Sequence, residues 1–306
     1  MDTKRYTRFV AMSLVALSLA GCATAATPAP TAVPPAPTAV PATPKPALDL
    51  PVLVDKYVKG LPDGFSGIAP AALSDQLKTA KPFIIDVREP SELAANGFIE
   101  GAVNIPIRTL TKNLDKLPAK DQPIIVYCAI GHRGALALTT LQMLGYTNVK
   151  SVSNGFNAWI AAKLPVATGK PVDLKAGAAP VVDSALFAVL DKYIAGLPDG
   201  FGGIAPAAAK DQMAAAKPFV IDVREASELT ANGYIEGSVN IPIRTLTANL
   251  DKLPAKDQPI IVYCAIGHRG GIALASLQLL GYTNVKSISG GFNGWKAANL
   301  PTVAAS

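Results

Sequence analysis

The sequence is poor in the residues that build disulfide frameworks, metal centres and nucleic-acid surfaces. It has only three cysteines and two histidines in 306 residues. An odd number of cysteines does not make a disulfide framework, so each cysteine needs an explanation of its own. The formal charge is +6, but the lysines are scattered without a basic run. We therefore expect no nucleic-acid partner.

Residues 1–22 have the pattern of an export signal. Lys4, Arg5 and Arg8 precede an apolar stretch from Phe9 to Ala20, which is too short to cross a bilayer as a helix. The stretch ends in Leu-Ala-Gly-Cys, which resembles the lipobox of bacterial lipoproteins and implies lipidation at Cys22. The alternative is an ordinary signal peptide with an incidental cysteine. We expect a lipid-anchored, extracytoplasmic protein, and the sequence leaves the membrane leaflet open.

Residues 23–49 are dominated by Ala, Thr, Pro and Val without periodicity. Such composition favours an extended, semi-rigid chain. We predict a tether between the membrane and a folded body.

The rest of the chain contains one unit written twice. The segment KPFIIDVRE at Lys81 returns as KPFVIDVRE at Lys217, and QPIIVYCAIGHRG at Gln122 returns unchanged at Gln258. About four positions in five are identical between the copies, and no insertion separates them. We predict two domains, at 50–165 and 186–306, joined by a Gly-, Ala- and Pro-rich linker at 166–185. The repeat period, which runs from Lys81 to Lys217, is too long for a solenoid, and each unit is long enough to fold alone.

Within a unit, short apolar runs alternate with helical patterns. Residues 83–85, 124–127 and 149–152 are continuous β-type runs, typical of strands buried on both faces. Residues 107–117 and 135–144 have apolar side chains at helical spacing, Pro70 starts another helix, and Gly145 ends one. This alternation predicts an α/β fold with a parallel sheet flanked by helices. Ligands of such sheets bind beyond the carboxyl ends of the strands.

A cysteine stands at one of these strand ends in each unit. Cys128 follows Ile-Ile-Val-Tyr directly, and a short loop leads from it into the next helix. The N-terminus of a helix offers unpaired N–H groups and partial positive charge, which favour a reactive thiolate. Gly131 permits a tight turn, and Arg133 can hold an anionic oxygen. Cys264 to Arg269 repeats the arrangement. A cysteine that merely packs at the strand end is the alternative.

Each unit resembles a rhodanese domain. The first unit carries the resemblance in the segments Asp86-Val87-Arg88-Glu89, Gly97 to Pro106, Cys128 to Arg133, and Gly155-Phe156-Asn157-Ala158-Trp159. The second unit carries it in Asp222 to Glu225, Gly233 to Pro242, Cys264 to Arg269, and Gly291 to Trp295.

The resemblance implies five-stranded parallel sheets and a cysteine that carries a transferable sulfane sulfur. Cys128 and Cys264 would be the nucleophiles. The loops that would surround the persulfide and the donor are Ala129, Ile130, Gly131, His132 and Arg133, and Ala265, Ile266, Gly267, His268 and Arg269. The residues that would support these loops are Asp86, Arg88, Asp222 and Arg224. The resemblance implies thiosulfate as donor and no cofactor. Cyanide, a small thiol or a partner protein could accept the sulfur.

Two positions depart from the family pattern. Phe98 and Tyr234 stand where a histidine is frequent, and we do not expect this to disable the site. Asn154 replaces a glycine that Gly290 keeps, and asparagine tolerates a positive φ better than most residues.

Three other functions remain open. A phosphatase or arsenate reductase of the same fold needs five residues between Cys and Arg, whereas four are present here. A zinc site could in principle use both Cys/His pairs, although we expect no metal and expect each histidine to be an exposed loop residue near the pocket mouth. A non-catalytic binding or sensing module is the third alternative, and the retained cysteine and arginine of both copies argue against it.

Overall fold

A computed structural model describes residues 47–304 of the chain. The predicted signal and lipidation site at Cys22, and nearly all of the tether, therefore lie outside the described residues.

The first repeat forms a five-stranded parallel sheet. Its strands are β1 (Gly67–Ile68), β2 (Phe83–Asp86), β3 (Val103–Asn104), β4 (Ile124–Tyr127) and β5 (Val149–Val152), in the order β1-β5-β4-β2-β3. Its helices are α1 (Leu50–Lys59), α2 (Pro70–Thr79), α3 (Pro90–Asn96), α4 (His132–Met143) and α5 (Gly155–Ala161). The strand that leads to Cys128 is thus the central one.

The second repeat forms a second sheet with the same topology. Its strands are β6 (Gly203–Ile204), β7 (Phe219–Asp222), β8 (Ser238–Asn240), β9 (Ile260–Tyr263) and β10 (Val285–Ile288), in the order β6-β10-β9-β7-β8. Its helices are α6 (Ser184–Ala195), α7 (Pro206–Ala216), α8 (Ala226–Asn232), α9 (His268–Leu279) and α10 (Gly291–Ala297). The predicted α/β class and the two parallel sheets are confirmed.

One element differs from its predicted type. Residues 107–116 form 3₁₀ turns with a kink at Asn113, although their spacing predicts an α-helix. Ile107, Leu110 and Leu114 point into the core, which explains the helical pattern of the sequence. The kink at Asn113 has a φ of −120°, so the segment does not continue as one regular helix.

The two repeats share a core. Apolar side chains on the outer face of each sheet form a separate cluster, one around Trp159 and one around Trp295. The inner faces contribute to a single continuous cluster that contains residues of both repeats, among them Leu138 and Leu274. The two repeats therefore bury apolar surface against each other, although each is long enough to fold as a separate domain.

The first helix of each repeat lies on the other repeat. α1 packs against the 3₁₀ segment at residues 243–252 and against α9, whereas α6 packs against the 3₁₀ segment at residues 107–116. Val54 of α1 and Leu190 of α6 are fully buried in the shared core. Burying one such side chain stabilises the fold by about 1.5–3 kcal/mol.

α4 and α9 pack directly against each other. Each follows the cysteine loop of its own repeat, so this packing fixes the two loops relative to each other. Among the described residues, no helix is long and apolar enough to cross a membrane.

Candidate functional site

Each cysteine sits in a cradle made by the backbone of its own loop. Cys128 follows β4, is fully buried, and accepts a hydrogen bond at Sγ from the N–H of Gly131 at 3.1 Å. Gly131 has a φ of +91° and precedes the first residue of α4. The loop therefore turns through a left-handed glycine and presents the N–H of that glycine and the start of α4 to the sulfur. Cys264 and Gly267 repeat this contact at 3.2 Å.

A second tight turn holds the cysteine loop from the side. Phe156 donates its N–H to the carbonyl oxygen of Cys128 at 2.7 Å. Gly155 has a φ of +59°, and a Cβ there would collide with that same carbonyl. Asn154, at φ +57°, tolerates the left-handed conformation that Gly290 adopts in the second repeat. The position thus has a positive φ in both repeats, with Gly290 at +71°.

Asp86 supports the site through Arg88. The carboxylate accepts hydrogen bonds from the backbone N–H of Arg88 and from its guanidinium, the shortest at 2.6 Å. Arg88 is 1 % exposed, and its guanidinium lies 4.2 Å from the centre of the Phe156 ring. The backbone N–H of Phe156 in turn binds the carbonyl of Cys128. The Asp86–Arg88 pair therefore helps to order the cysteine loop by holding Phe156 in place. Asp222 and Arg224 repeat the arrangement.

Arg133 is already paired with a carboxylate. Glu92 of α3 accepts two hydrogen bonds from its guanidinium, both at 2.6 Å. Glu92 also accepts from the backbone N–H of Glu89 in a capping box. Burial alone would raise the pKa of Glu92, but the hydrogen bonds from Arg133 and Glu89 outweigh it and lower the pKa. An anionic donor must therefore share Arg133 with Glu92 or bind mainly to the backbone N–H groups.

Arg133 also interacts with the cysteine. Burial alone would lower its pKa, whereas the hydrogen bonds and charges of Glu92 and Cys128 raise it above its ordinary value. The guanidinium thus stays charged beside Cys128. Arg269 behaves in the same way toward Glu228 and Cys264.

The prediction that the histidines are exposed loop residues is wrong. His132 is 5 % exposed and His268 is 4 % exposed, and each begins a helix rather than lying in a loop. Nε2 of His132 lies 2.9 Å from the carbonyl oxygen of Phe201, so this nitrogen carries the hydrogen. Nδ1 is buried and has no hydrogen-bond partner in the described part of the chain. The imidazole of His132 is buried because residues of the second repeat cover it.

Each cavity is lined by both repeats. The cavity at Cys128 has a volume of about 350 Å³. Its walls are Glu92, Cys128, Ala129, Ile130, His132 and Arg133 from the first repeat, and Gly200, Phe201, Gly203 and Ser289 from the second. The matching cavity beside the Cys264 loop also measures about 350 Å³. It is lined by Ala265, Ile266, His268 and Arg269 of that loop and by Gly64, Phe65, Gly67 and Ser153 of the first repeat, together with Glu225 and Glu228. Neither site belongs to one repeat alone.

A family model of the Rhodanese-like domain matches residues 69–162 and 205–298. The chain belongs to the rhodanese family. Each match covers four of the five strands of a sheet, the cysteine loop and the helix that follows. Both repeats are thus rhodanese domains, as the sequence motifs predict.

Three similar proteins each match a length of about one repeat. A sulfurtransferase of Allochromatium vinosum is 31% identical over 96 residues, which are 31% of this chain and 88% of that protein. A human thiosulfate:glutathione sulfurtransferase is 30% identical over 101 residues, 29% of this chain and 87% of that protein. A rhodanese-related protein of Thermoplasma volcanium is 35% identical and covers 34% of this chain and 98% of its own, with a TM-score of 0.31.

Several residues of the two sites cannot be assigned from the rhodanese motifs alone. Glu92 is signalled only by the spacing Glu-Pro-Ser-Glu, which is that of a capping box. Phe65 and Phe201 stand in a repeated Pro-Asp-Gly-Phe segment outside the family match. Nothing in the local sequence shows that this segment contacts the other repeat.

Proposed function

We propose that this rhodanese is a sulfurtransferase that passes a sulfane sulfur through persulfides on Cys128 and Cys264. The observation that carries the proposal is the cradle at each sulfur. Sγ of Cys128 accepts an N–H at 3.1 Å, lies at the N-terminal end of α4, and borders a cavity of about 350 Å³. These features suit a thiolate nucleophile with a compact reaction partner.

The reaction balances without a cofactor. The thiolate attacks the outer sulfur of a donor such as thiosulfate, the S–S bond of the donor breaks, and sulfite leaves with the bonding electron pair. The cysteine then carries a persulfide. A thiophilic acceptor, which is cyanide, a small thiol or a protein thiol, attacks the terminal sulfur and releases the cysteine thiolate.

The chain supplies positioning and charge to these steps. The N–H of Gly131 can hold the anionic terminal sulfur, and Arg133 can hold the departing anion. Glu92 reduces the net positive charge of the Arg133 site. Asp86 and Arg88 keep the loop in place. The names of the relatives from Allochromatium vinosum and human agree with this reaction class.

The loop length also supports sulfur transfer over phosphate transfer. Four residues separate Cys128 from Arg133, whereas a phosphatase or arsenate reductase of this fold needs five. The shorter loop fits a sulfur atom better than a tetrahedral oxyanion. Formation of thiocyanate from thiosulfate and cyanide tests the proposal, with a labile aryl phosphate as the comparison substrate. Efficient phosphate release without thiocyanate would overturn it.

We also propose that the mature chain begins at a lipidated Cys22 and works outside the cytoplasm. The support is the sequence of residues 1–22 and the proline-rich segment 23–49. The small-molecule partners would then be donors and acceptors present outside the cytoplasm.

A further inference from the structure

The loop Pro198-Asp199-Gly200-Phe201 of the second repeat has an unusual backbone. Gly200 and Phe201 have φ values of +76° and +54°. The left-handed region is unfavourable for a residue with a bulky side chain. The conformation therefore needs contacts that hold it. Two local ones run from the N–H of Phe201 to the carbonyl of Pro198 and from the N–H of Gly203 to the carbonyl of Gly200.

The first repeat supplies the other contacts. Arg108 donates to the carbonyl of Leu197 and to the carboxylate of Asp199, both at 3.0 Å. Its guanidinium lies 4.6 Å from the centre of the Phe201 ring. His132 donates to the carbonyl of Phe201. The loop is thus held between His132, which begins α4, and Arg108 of the 3₁₀ segment.

These contacts place the Phe201 ring over the reactive end of the first site. The guanidinium of Arg133 lies 5.0 Å from the ring centre, and Phe201 lines the cavity that contains Cys128. Cys128 is fully buried and lines this cavity, so an acceptor that enters the cavity meets the Phe201 ring as part of its wall.

The arrangement is reciprocal. Phe65 has a φ of +53°, and its ring centre lies 5.0 Å from the guanidinium of Arg269 and 4.7 Å from that of Arg244. His268 donates to the carbonyl of Phe65 at 2.8 Å. Each cysteine site is therefore closed by a phenylalanine of the other repeat.

We propose that Phe201 and Phe65 each act as a size filter at the cysteine site of the other repeat. They admit small acceptors such as cyanide or a small thiol and disfavour protein thiols. The inference rests on the proposed sulfur transfer and narrows its acceptor class. A cavity of about 350 Å³ holds a small molecule, whereas a protein cysteine must bring its flanking backbone to the sulfur. The ring over Arg133 occupies the space that this backbone needs.

The duplication allows a crossed experiment in the full chain. C264S leaves Cys128 as the one cysteine in the two sites, and C128S leaves Cys264. F201A and F65A are introduced into each background, and each chain is loaded with thiosulfate. The transfer rate to a cysteine-containing peptide is then divided by the rate to cyanide.

In the C264S chain, F201A is expected to raise this ratio about tenfold, the range in which pocket size discriminates substrates. In the C128S chain, F65A is expected to do the same. If each phenylalanine instead affects the cysteine of its own repeat, or both affect either cysteine equally, the proposal is wrong. An unaltered ratio in both chains would also contradict it.

Two controls keep the outcomes separate. Thermal unfolding identifies a variant that has lost its fold, and F201L and F65L, which keep an apolar side chain, then replace the alanine variants with an expected shift of several-fold in the same direction. A C264S chain that takes up no sulfur contradicts the proposed function itself. A chain that takes up sulfur but shows no crossed effect contradicts only the filter.

Discussion

The contact between α4 and α9 leaves no room for a side chain at Gly271. A Cβ at this position would lie 2.8 Å from Cβ of Ala135 and 3.3 Å from the carbonyl oxygen of His132. Neither atom is at the end of a flexible side chain. Overpacking of this kind costs about 1–3 kcal/mol. Replacing a helical glycine by alanine gains at most about 1 kcal/mol in helix propensity. We therefore expect Gly271→Ala to be neutral to destabilising by about 2 kcal/mol.

A double-mutant cycle separates the two effects. Ala135→Gly removes the methyl group that a new Cβ would meet, while helix propensity contributes equally to both sides of the cycle. We expect Gly271→Ala to be less destabilising in the Ala135→Gly chain by about 1–3 kcal/mol. The assay is equilibrium urea unfolding of the four full chains. Free energies of unfolding that add within about 0.5 kcal/mol would refute the close contact of the two helices.

The remaining predictions concern the sites and the N-terminus. Cys128→Ser and Cys264→Ser should each leave a substantial part of the thiocyanate-forming activity, and the double variant almost none; loss of nearly all activity in one single variant would mean that one site is silent or that the two act in series. Burial lowers the pKa of His132 and His268 from 6.5, and the neighbouring arginines add to this effect. Their neutral forms therefore contribute stability that is present above pH 6.5 and lost as the pH falls toward the lowered pKa, so changing both to Gln should flatten the dependence of the urea midpoint between about pH 7 and pH 5; an unchanged slope would argue against neutral, buried rings. Changing Cys22 to Ala should release the protein from the membrane fraction or block its processing, and a variant that matures and stays anchored would contradict lipidation.

Much of the fold follows from local signals in the sequence. The runs at 124–127 and 149–152 are strands with those same bounds, because side chains buried on both faces of a parallel sheet leave a continuous apolar pattern. Pro70 begins α2 as predicted, and Gly145, with a φ of +92°, follows the end of α4. The loop at Cys128 is equally local, since a strand end, a glycine and a helix start are adjacent in the chain.

What the sequence does not reveal depends on contacts between distant residues. Glu92 and Arg133 are 41 residues apart, and only the fold brings their side chains together. His132 meets Phe201 at a separation of 69 residues, across the boundary between the repeats. The repeat pattern is the same whether or not the two units touch each other. Taken alone, it is therefore interpreted as two self-contained domains. The shared core and the crossed loops depend on how the units associate, which a motif within one unit does not encode.

The difference between Ala135 and Gly271 illustrates the same limit. In the sequence it is one of several scattered substitutions between the copies. In the structure the two positions meet where α4 crosses α9, and a Cβ on only one of them fits. A duplicated chain can thus differ between its copies for a reason that lies in the contact of the copies.

The central claim, that both cysteines carry a transferable sulfur, is tested most directly by mass spectrometry of the peptides that contain Cys128 and Cys264 after the whole protein has been exposed to thiosulfate. We expect each peptide to gain the mass of one sulfur atom and to lose it again when cyanide is added, with thiocyanate released in equal amount. Peptides whose masses stay unchanged, or a gain that cyanide does not remove, would contradict the account.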